Sequence, residues 1–284
     1  MLRPTMFRRL MLGLLVLAAV ACGSPAPGPS MAVGATADPE YTLLANLYAA
    51  ALRSYGTGAH VQIVEDPLTA LDSGAVSVVP GFTGRLLQKF APGTKARSDS
   101  EVYKALLGVL PEGVAAGDYT TAADDKPALA VTDATASAWD SRDLTALVSH
   151  CAGLRLGAVA YARGLPTTVG GCTLPPARDF PDKATMFAAL RAGDITAGWT
   201  GTADTGVPSD LVVLADRKPE LVMAENIVPL YRRNELDDPQ VRAINELAGV
   251  LDTGSLVDMR QHVADGRDPR WVAEEWLSGH PLGR

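Results

Sequence analysis

From Met31 to Leu110 short strand-like runs alternate with short helix-like runs, and the alternation begins again at Pro127. MAVGA (residues 31–35), HVQIV (60–64) and AVSVVP (75–80) are too brief for helices and are rich in small and β-branched residues. Between the first two, Asp38 is placed to cap a helix that has Pro39 at its first position, where a missing N–H costs nothing. Leu44, Leu47, Tyr48, Ala51 and Leu52 then recur at helical spacing. PLTALDSG reads as a short helix stopped by Gly74, and RLLQKF and SEVYKALLGVL read as two more helices. After PALAVT (127–132) come a helix at LTALVSHC, a strand at LRLGAVA, a loop-like stretch over 161–181 and a helix at DKATMFAALRAG. Strands at ITAGW, DLVVLAD and NIVPLYRR come next, and the chain is mostly helical from Asp237, most clearly at PQVRAINELAGVL. Such alternation in short units predicts an α/β body with a largely parallel sheet.

One phrase occurs in both units. ALDSGAVSVVP runs into GFTG (81–84), and ALRAGDITA runs into GWTG (198–201). Open α/β sheets bind ligands at the carboxyl ends of their strands. Two facing units would therefore present Phe82 and Trp199 across one cleft, with flanking glycines letting backbone approach the ligand. The competing reading makes both stretches ordinary strand ends with core aromatics.

The N-terminus is a separate matter. Arg3, Arg8 and Arg9 precede an apolar run, Leu10–Ala21, that is followed at once by Cys22. Twelve helical residues reach about 18 Å, short of the roughly 30 Å hydrocarbon core, so a signal peptide over residues 1–21 is expected rather than a spanning helix. Ala19 and Ala21 before Cys22 resemble a bacterial lipobox, which implies lipidation of the Cys22 thiol; an ordinary cleavage site nearby is the alternative. GSPAPGPS then completes a Pro/Gly linker over residues 22–30.

Composition narrows function. With 47% hydrophobic and 20% charged residues the chain is globular, and its net charge of −7 becomes more acidic once the leader arginines are gone. No basic patch offers itself to nucleic acid phosphates. The hydrolase elbow, the zinc-protease helix, the phosphate loop and the dinucleotide fingerprint are all missing from the sequence, and His60, His150, His262 and His280 fall on unrelated elements. Neither an enzyme nor a metal or cofactor is expected. Cys151 and Cys172 are read as a disulfide in an exported protein, or else as two free buried thiols.

Beyond these local readings, the order of VGATADPEYTLLANLYAAAL, ALDSGAVSVVPGFTGRLLQKF, SEVYKALLGVL, KPALAV, DLVVLAD with NIVPLYRR, and VDMRQHVADGRDPRWVAEEWL resembles one family. These are the ProX-like or OpuC-type substrate-binding lipoproteins of osmoprotectant ABC transporters, which bind glycine betaine, choline, carnitine or proline betaine. The resemblance runs from about Ala32 to Leu282. It implies a type II periplasmic binding protein with two α/β lobes: lobe one over 31–126 and 228–284, lobe two over 127–227. It also implies a monomer outside the cytoplasm, lipid-anchored to the membrane, with an ABC permease and ATPase as partners.

The family boxes its quaternary ammonium with tyrosines, and here the resemblance departs. Phe82 and Trp199 stand at two of those ring positions, but Pro127 and Glu225 stand at two others. Thr36 replaces a lysine and Arg85 a threonine, while Arg163 meets a family arginine. The resemblance thus implies a ligand set of Thr36, Phe82, Thr83, Arg85, Asp125, Lys126, Arg163, Trp199, Thr200, Glu225 and Asn226. Glu225 and Asp125 would attract a cation; Arg85 and Lys126 would attract an anion or a phenol oxygen. Arg85 and Lys126 as solvated surface charges, and Glu225 as a turn cap, are the plainer readings. A polyol or polyphenol as ligand, or a sensor without transport, are the alternatives to a betaine importer.

Overall fold

The computed structural model describes residues 30–160, 162 and 164–283. The proposed signal peptide, Cys22, most of the linker and Arg163 lie outside the described residues. The first stretch runs β1 (Met31–Ala35), α1 (Pro39–Ser54), β2 (Ala59–Ile63), α2 (Pro67–Asp72), β3 (Val78–Phe82), α3 (Thr83–Phe90), α4 (Asp99–Leu107) and β4 (Val114–Ala116). A second stretch begins with β5 (Pro127–Thr132), α5 (Asp133–Ala138), α6 (Leu144–Ser149) and β6 (Leu156–Val159). It continues through β7 (Thr168–Val169), β8 (Cys172–Thr173), β9 (Arg178–Phe180), α7 (Lys183–Arg191), β10 (Ala197–Gly201) and β11 (Leu211–Val213). The chain closes with β12 (Ile227–Arg232), α8 (Asp238–Val250), α9 (Thr253–Ala264) and α10 (Pro269–Gly279).

Local chemistry explains where the helices begin. Asp38 accepts from the Glu40 N–H, Asp66 from Leu68 and Thr69, and Asp182 from Thr185. Ser98 with Glu101 and Asp237 with Gln240 form reciprocal capping boxes. The two helices of the shared phrase also end alike, on Gly74 and Gly193, each at φ +76°, a backbone region that favours glycine.

Two five-stranded sheets result, ordered β2-β1-β3-β12-β4 and β11-β5-β10-β6-β9. They are not largely parallel, as the alternation predicts. In each sheet two pairings are parallel and two antiparallel. The antiparallel pairings all involve β5 or β12, the strands that come directly after the two passages of the chain between sheets. Each enters its sheet against the direction of the strands beside it. Pattern reading also passes over β4, α5 and the three short strands within 161–181.

α1 is the centrepiece of the first core. It is buried on nearly every side from Leu43 to Leu52, under the first sheet and against α8 and α10. The second core surrounds β5, β6 and β10 and includes Trp199 and Cys172. Cys151 and Cys172 are disulfide-bonded, which fastens the β7–β8 hairpin to the end of α6.

Two crossings join the halves, and they are bonded to each other. Asp124 and Asn226 form an antiparallel bridge, and Asp125 N–H donates to the Glu225 carbonyl at 2.9 Å. Asn226 Nδ2 donates to the Thr120 carbonyl (2.8 Å) and the Ala123 carbonyl (3.2 Å), holding the crossing against the first half.

Candidate functional site

A cavity of about 660 Å³ opens between the two sheets. Its first wall is the capped start of α1 (Asp38, Pro39, Glu40, Leu43) with Arg85 from α3, and α9 contributes Arg260, Val263 and Ala264. Asp125 and Pro127 line it from the first crossing. The opposite wall is Val159, Leu165 and Lys183, with Trp199, Thr200, Gly201, Ala203, Asp204 and Thr205.

Four of its charges form a closed cycle. Arg85 Nη1 bonds Glu40 Oε2 at 3.0 Å and Arg85 Nη2 bonds Asp125 Oδ2 at 3.1 Å. Arg260 Nη2 meets the same two carboxylates, Glu40 through Oε1 and Asp125 through Oδ2 at 3.2 Å. Burial raises the Glu40 carboxyl above its ordinary value, although Arg260 and Arg85 both pull it down. Arg260 Nη1 also donates to the carbonyl of Ala203 at 2.9 Å, so this one side chain touches α1, a crossing and the second half.

On the far wall Lys183 Nζ donates to Asp204 Oδ1 at 2.6 Å, and Thr200 Oγ1 donates to Asp204 Oδ2 at 2.6 Å. Burial works to raise the Asp204 carboxyl. The Lys183 ammonium, the Thr200 hydroxyl and the Gly206 N–H together outweigh it and hold the group below the usual carboxylate range.

Of the residues predicted from sequence, Arg85, Asp125, Trp199 and Thr200 line this cavity. The other described ones stand elsewhere. Phe82 is 0% exposed, packed in the first core with the Arg85 guanidinium 4.1 Å above its ring and the edge of Tyr41 at 5.9 Å. It does not face Trp199, because the first residue of the cavity wall after β3 is the arginine that covers it. Thr83, also fully buried, accepts from Asn226 N–H at 3.1 Å, so both hold the crossing instead of lining the cavity. Lys126 pairs with Asp216 at 3.2 Å and lines a separate hollow of about 200 Å³. Thr36 lies just before the α1 cap, its carbonyl accepting from Thr42. Glu225 is 8% exposed and accepts the Arg85 N–H at 2.8 Å, capping the start of α3; burial pushes its carboxyl up to about 7 against that bond.

The glycines of the two motifs also do something other than expected. A side chain at Gly84 would lie 2.6 Å from the Ala224 carbonyl oxygen, and one at Gly201 would lie 2.6 Å from Asp125 Oδ1. Each final glycine lets a crossing come close, and Gly201 also lines the cavity.

Glu40, Lys183, Asp204 and Arg260 are not legible in the sequence as site residues. Glu40 and Lys183 do carry a signal, since each sits in the first turn of a capped helix that comes after a strand, where ligands collect. Arg260 carries none, being one polar residue inside a C-terminal helix. Among the described residues no group of three or more His, Cys, Asp and Glu side chains comes together as a metal site, and no helix is long and apolar enough to cross a membrane.

Residues 29–279 match the family model described as the substrate binding domain of an ABC-type glycine betaine transport system. No curated protein matches the sequence. Among solved structures, a glycine betaine/carnitine/choline ABC transporter protein superposes with a TM-score of 0.70 at 16% identity, over 88% of this chain and 98% of that one. Apo YehZ from Escherichia coli gives 0.66 at 20% identity, over 89% and 99%. A choline-binding ABC-transporter protein in complex with choline gives 0.52 at 14%, over 89% of each. At these identities the likeness speaks for the fold, which is that of a type II periplasmic binding protein.

Proposed function

Since the chain belongs to the family of substrate-binding domains of ABC-type glycine betaine transport systems, we infer that its cavity takes a small quaternary ammonium solute of the glycine betaine or choline type. A solute-binding protein of an ABC importer works outside the cytoplasm and hands its ligand to a permease. The single observation that carries the ligand reading is the far wall, where the Trp199 ring and the Asp204 carboxylate line the same cavity. A π face attracts a weakly hydrated cation, and a carboxylate held ionised adds a direct charge.

The lobes are proposed as 31–126 with 228–284, and 127–227. The bonded crossings at Asp124–Lys126 and Glu225–Asn226 would act as the hinge on which they close over ligand. Closure gains population in proportion to the ligand's differential affinity for the closed form. Attachment through a lipidated Cys22, with residues 23–30 as a tether, completes the proposal; mass spectrometry of the mature N-terminus tests it.

Among the described lining residues Trp199 is the only aromatic, whereas seven carry charge. That favours, as second reading, a solute bound by hydrogen bonds, such as a polyol. Calorimetric titration separates the two. Glycine betaine, choline, carnitine and proline betaine form one panel, and polyols, sugars and simple polyphenols the other. Binding in the first panel is expected; binding in the second alone overturns the quaternary ammonium reading.

A further inference from the structure

The ion cycle has an unusual redundancy. Glu40 and Asp125 are each bonded by both Arg85 and Arg260. Drawing Arg260 away from the two carboxylates leaves each still paired with Arg85, so no buried charge is orphaned, which is the usual obstacle to opening a buried ion pair. Arg85 is less free to leave, because its guanidinium lies over the Phe82 ring and its own N–H is held by Glu225. Arg260 also has a donor to offer. Its Nε is buried with no hydrogen-bond partner among the described residues, a costly arrangement for a charged group. A guanidinium with a spare N–H matches a carboxylate by parallel bonds.

The cycle itself is balanced, two cations against two anions. A dipolar ligand that brings one charge of each sign preserves that balance: its ammonium takes the carboxylates or Trp199, and its carboxylate takes the guanidinium. A plain cation has nothing to give Arg260. Resting on the quaternary ammonium reading above, we propose that Arg260 sets specificity within that class, taking the carboxylate of a zwitterionic ligand so that the site prefers a betaine to a choline-like cation. Arg260 reaches the ligand from α9 while its Nη1 holds the Ala203 carbonyl of the far wall, so the same contact favours the closed form.

The test is calorimetric titration of the purified protein and its Arg260→Gln and Arg260→Lys variants with glycine betaine and with choline. The wild type should bind glycine betaine the more tightly. Arg260→Gln should weaken glycine betaine by about tenfold to a hundredfold, the range of a lost charge-assisted bond, and should not weaken choline, whose cation then meets one like charge fewer. Arg260→Lys keeps the charge without the planar fork and should fall between. Equal weakening of both ligands, or of neither, overturns the proposal and makes Arg260 a strut. If Arg260→Gln fails to fold, the ratio of the two affinities in Arg260→Lys decides: a several-fold drop supports the proposal and an unchanged ratio overturns it. A wild type that prefers choline overturns the role of Arg260 while sparing the family reading; a wild type that binds neither ligand removes both.

Discussion

GFTG and GWTG share three of four letters and a lead-in, yet they do different work. Both come after a helix that ends on a glycine at φ +76°, and both bring a glycine against a crossing of the chain. They part at the aromatic. β3 stops at Phe82 and α3 starts at Thr83, so the phenylalanine turns into the first core and an arginine one turn on closes over it. β10 instead continues through Trp199 to Gly201, paired with β5, and the tryptophan, packed in the second core, also lines the cavity. A local repeat fixes local geometry, then; which side of a strand end faces a ligand depends on whether the next residues turn into a helix or extend the strand.

The largest expected effect tests the buried member. Phe82→Ala removes a fully enclosed ring and should cost about 3–5 kcal/mol in chemical denaturation, with ligand affinity of the folded fraction little changed. Weakened binding at full stability would put the phenylalanine back at the ligand.

Glu225, under the start of α3, sharpens the contrast through pH. Its folded pKa, about 7, lies above the ordinary carboxylate value of 4.5, so between those limits the folded state holds a proton that the unfolded state has released. This contribution to stability falls as pH rises through that window and levels off above about 7. Glu225→Gln should remove it, flattening the profile between pH 4.5 and 7 by about 3 kcal/mol at most. Thermal unfolding of both proteins across the window measures the difference; identical slopes would mean that Glu225 ionises freely.

Trp199→Ala acts on the other motif and on binding, weakening the ligand by about 1–3 kcal/mol as a buried aromatic anchor would. Unchanged affinity in a folded variant takes the ring out of the site. The smallest effects separate the two final glycines. Gly84→Ala meets a backbone carbonyl that cannot step aside and should cost about 1–3 kcal/mol. Gly201→Ala meets only the tip of the Asp125 side chain and should cost less, about 1 kcal/mol or below; the reverse order would mean that Asp125 is held more firmly than the crossing at Ala224.

Much of this fold can be read along the chain because its signals are local. Asp38 with Pro39, Gly74, Gly193 and the α8 capping box announce helix ends within a few residues. Strand direction cannot be read so, since β5 and β12 take theirs from the other half of the molecule. The site shows the same division. Trp199 is marked by its place at a strand end, while Thr200, Arg85 and Asp125 are marked by the family resemblance. Arg260 reaches Glu40 across 220 residues, and no spacing within one helix reveals such a partner. Phe82 misleads because a strand-end aromatic looks the same in sequence whether an arginine covers it or a ligand does.

The most direct test of the account uses Trp199 itself. The chain has four tryptophans, so replacing Trp139, Trp271 and Trp276 by phenylalanine leaves Trp199 as the sole reporter. Titrating that variant with the quaternary ammonium compound that calorimetry shows to bind should shift or quench its emission saturably, with the calorimetric midpoint. Heat of binding without any change in Trp199 emission would contradict the account and place the ligand outside the cavity between the sheets.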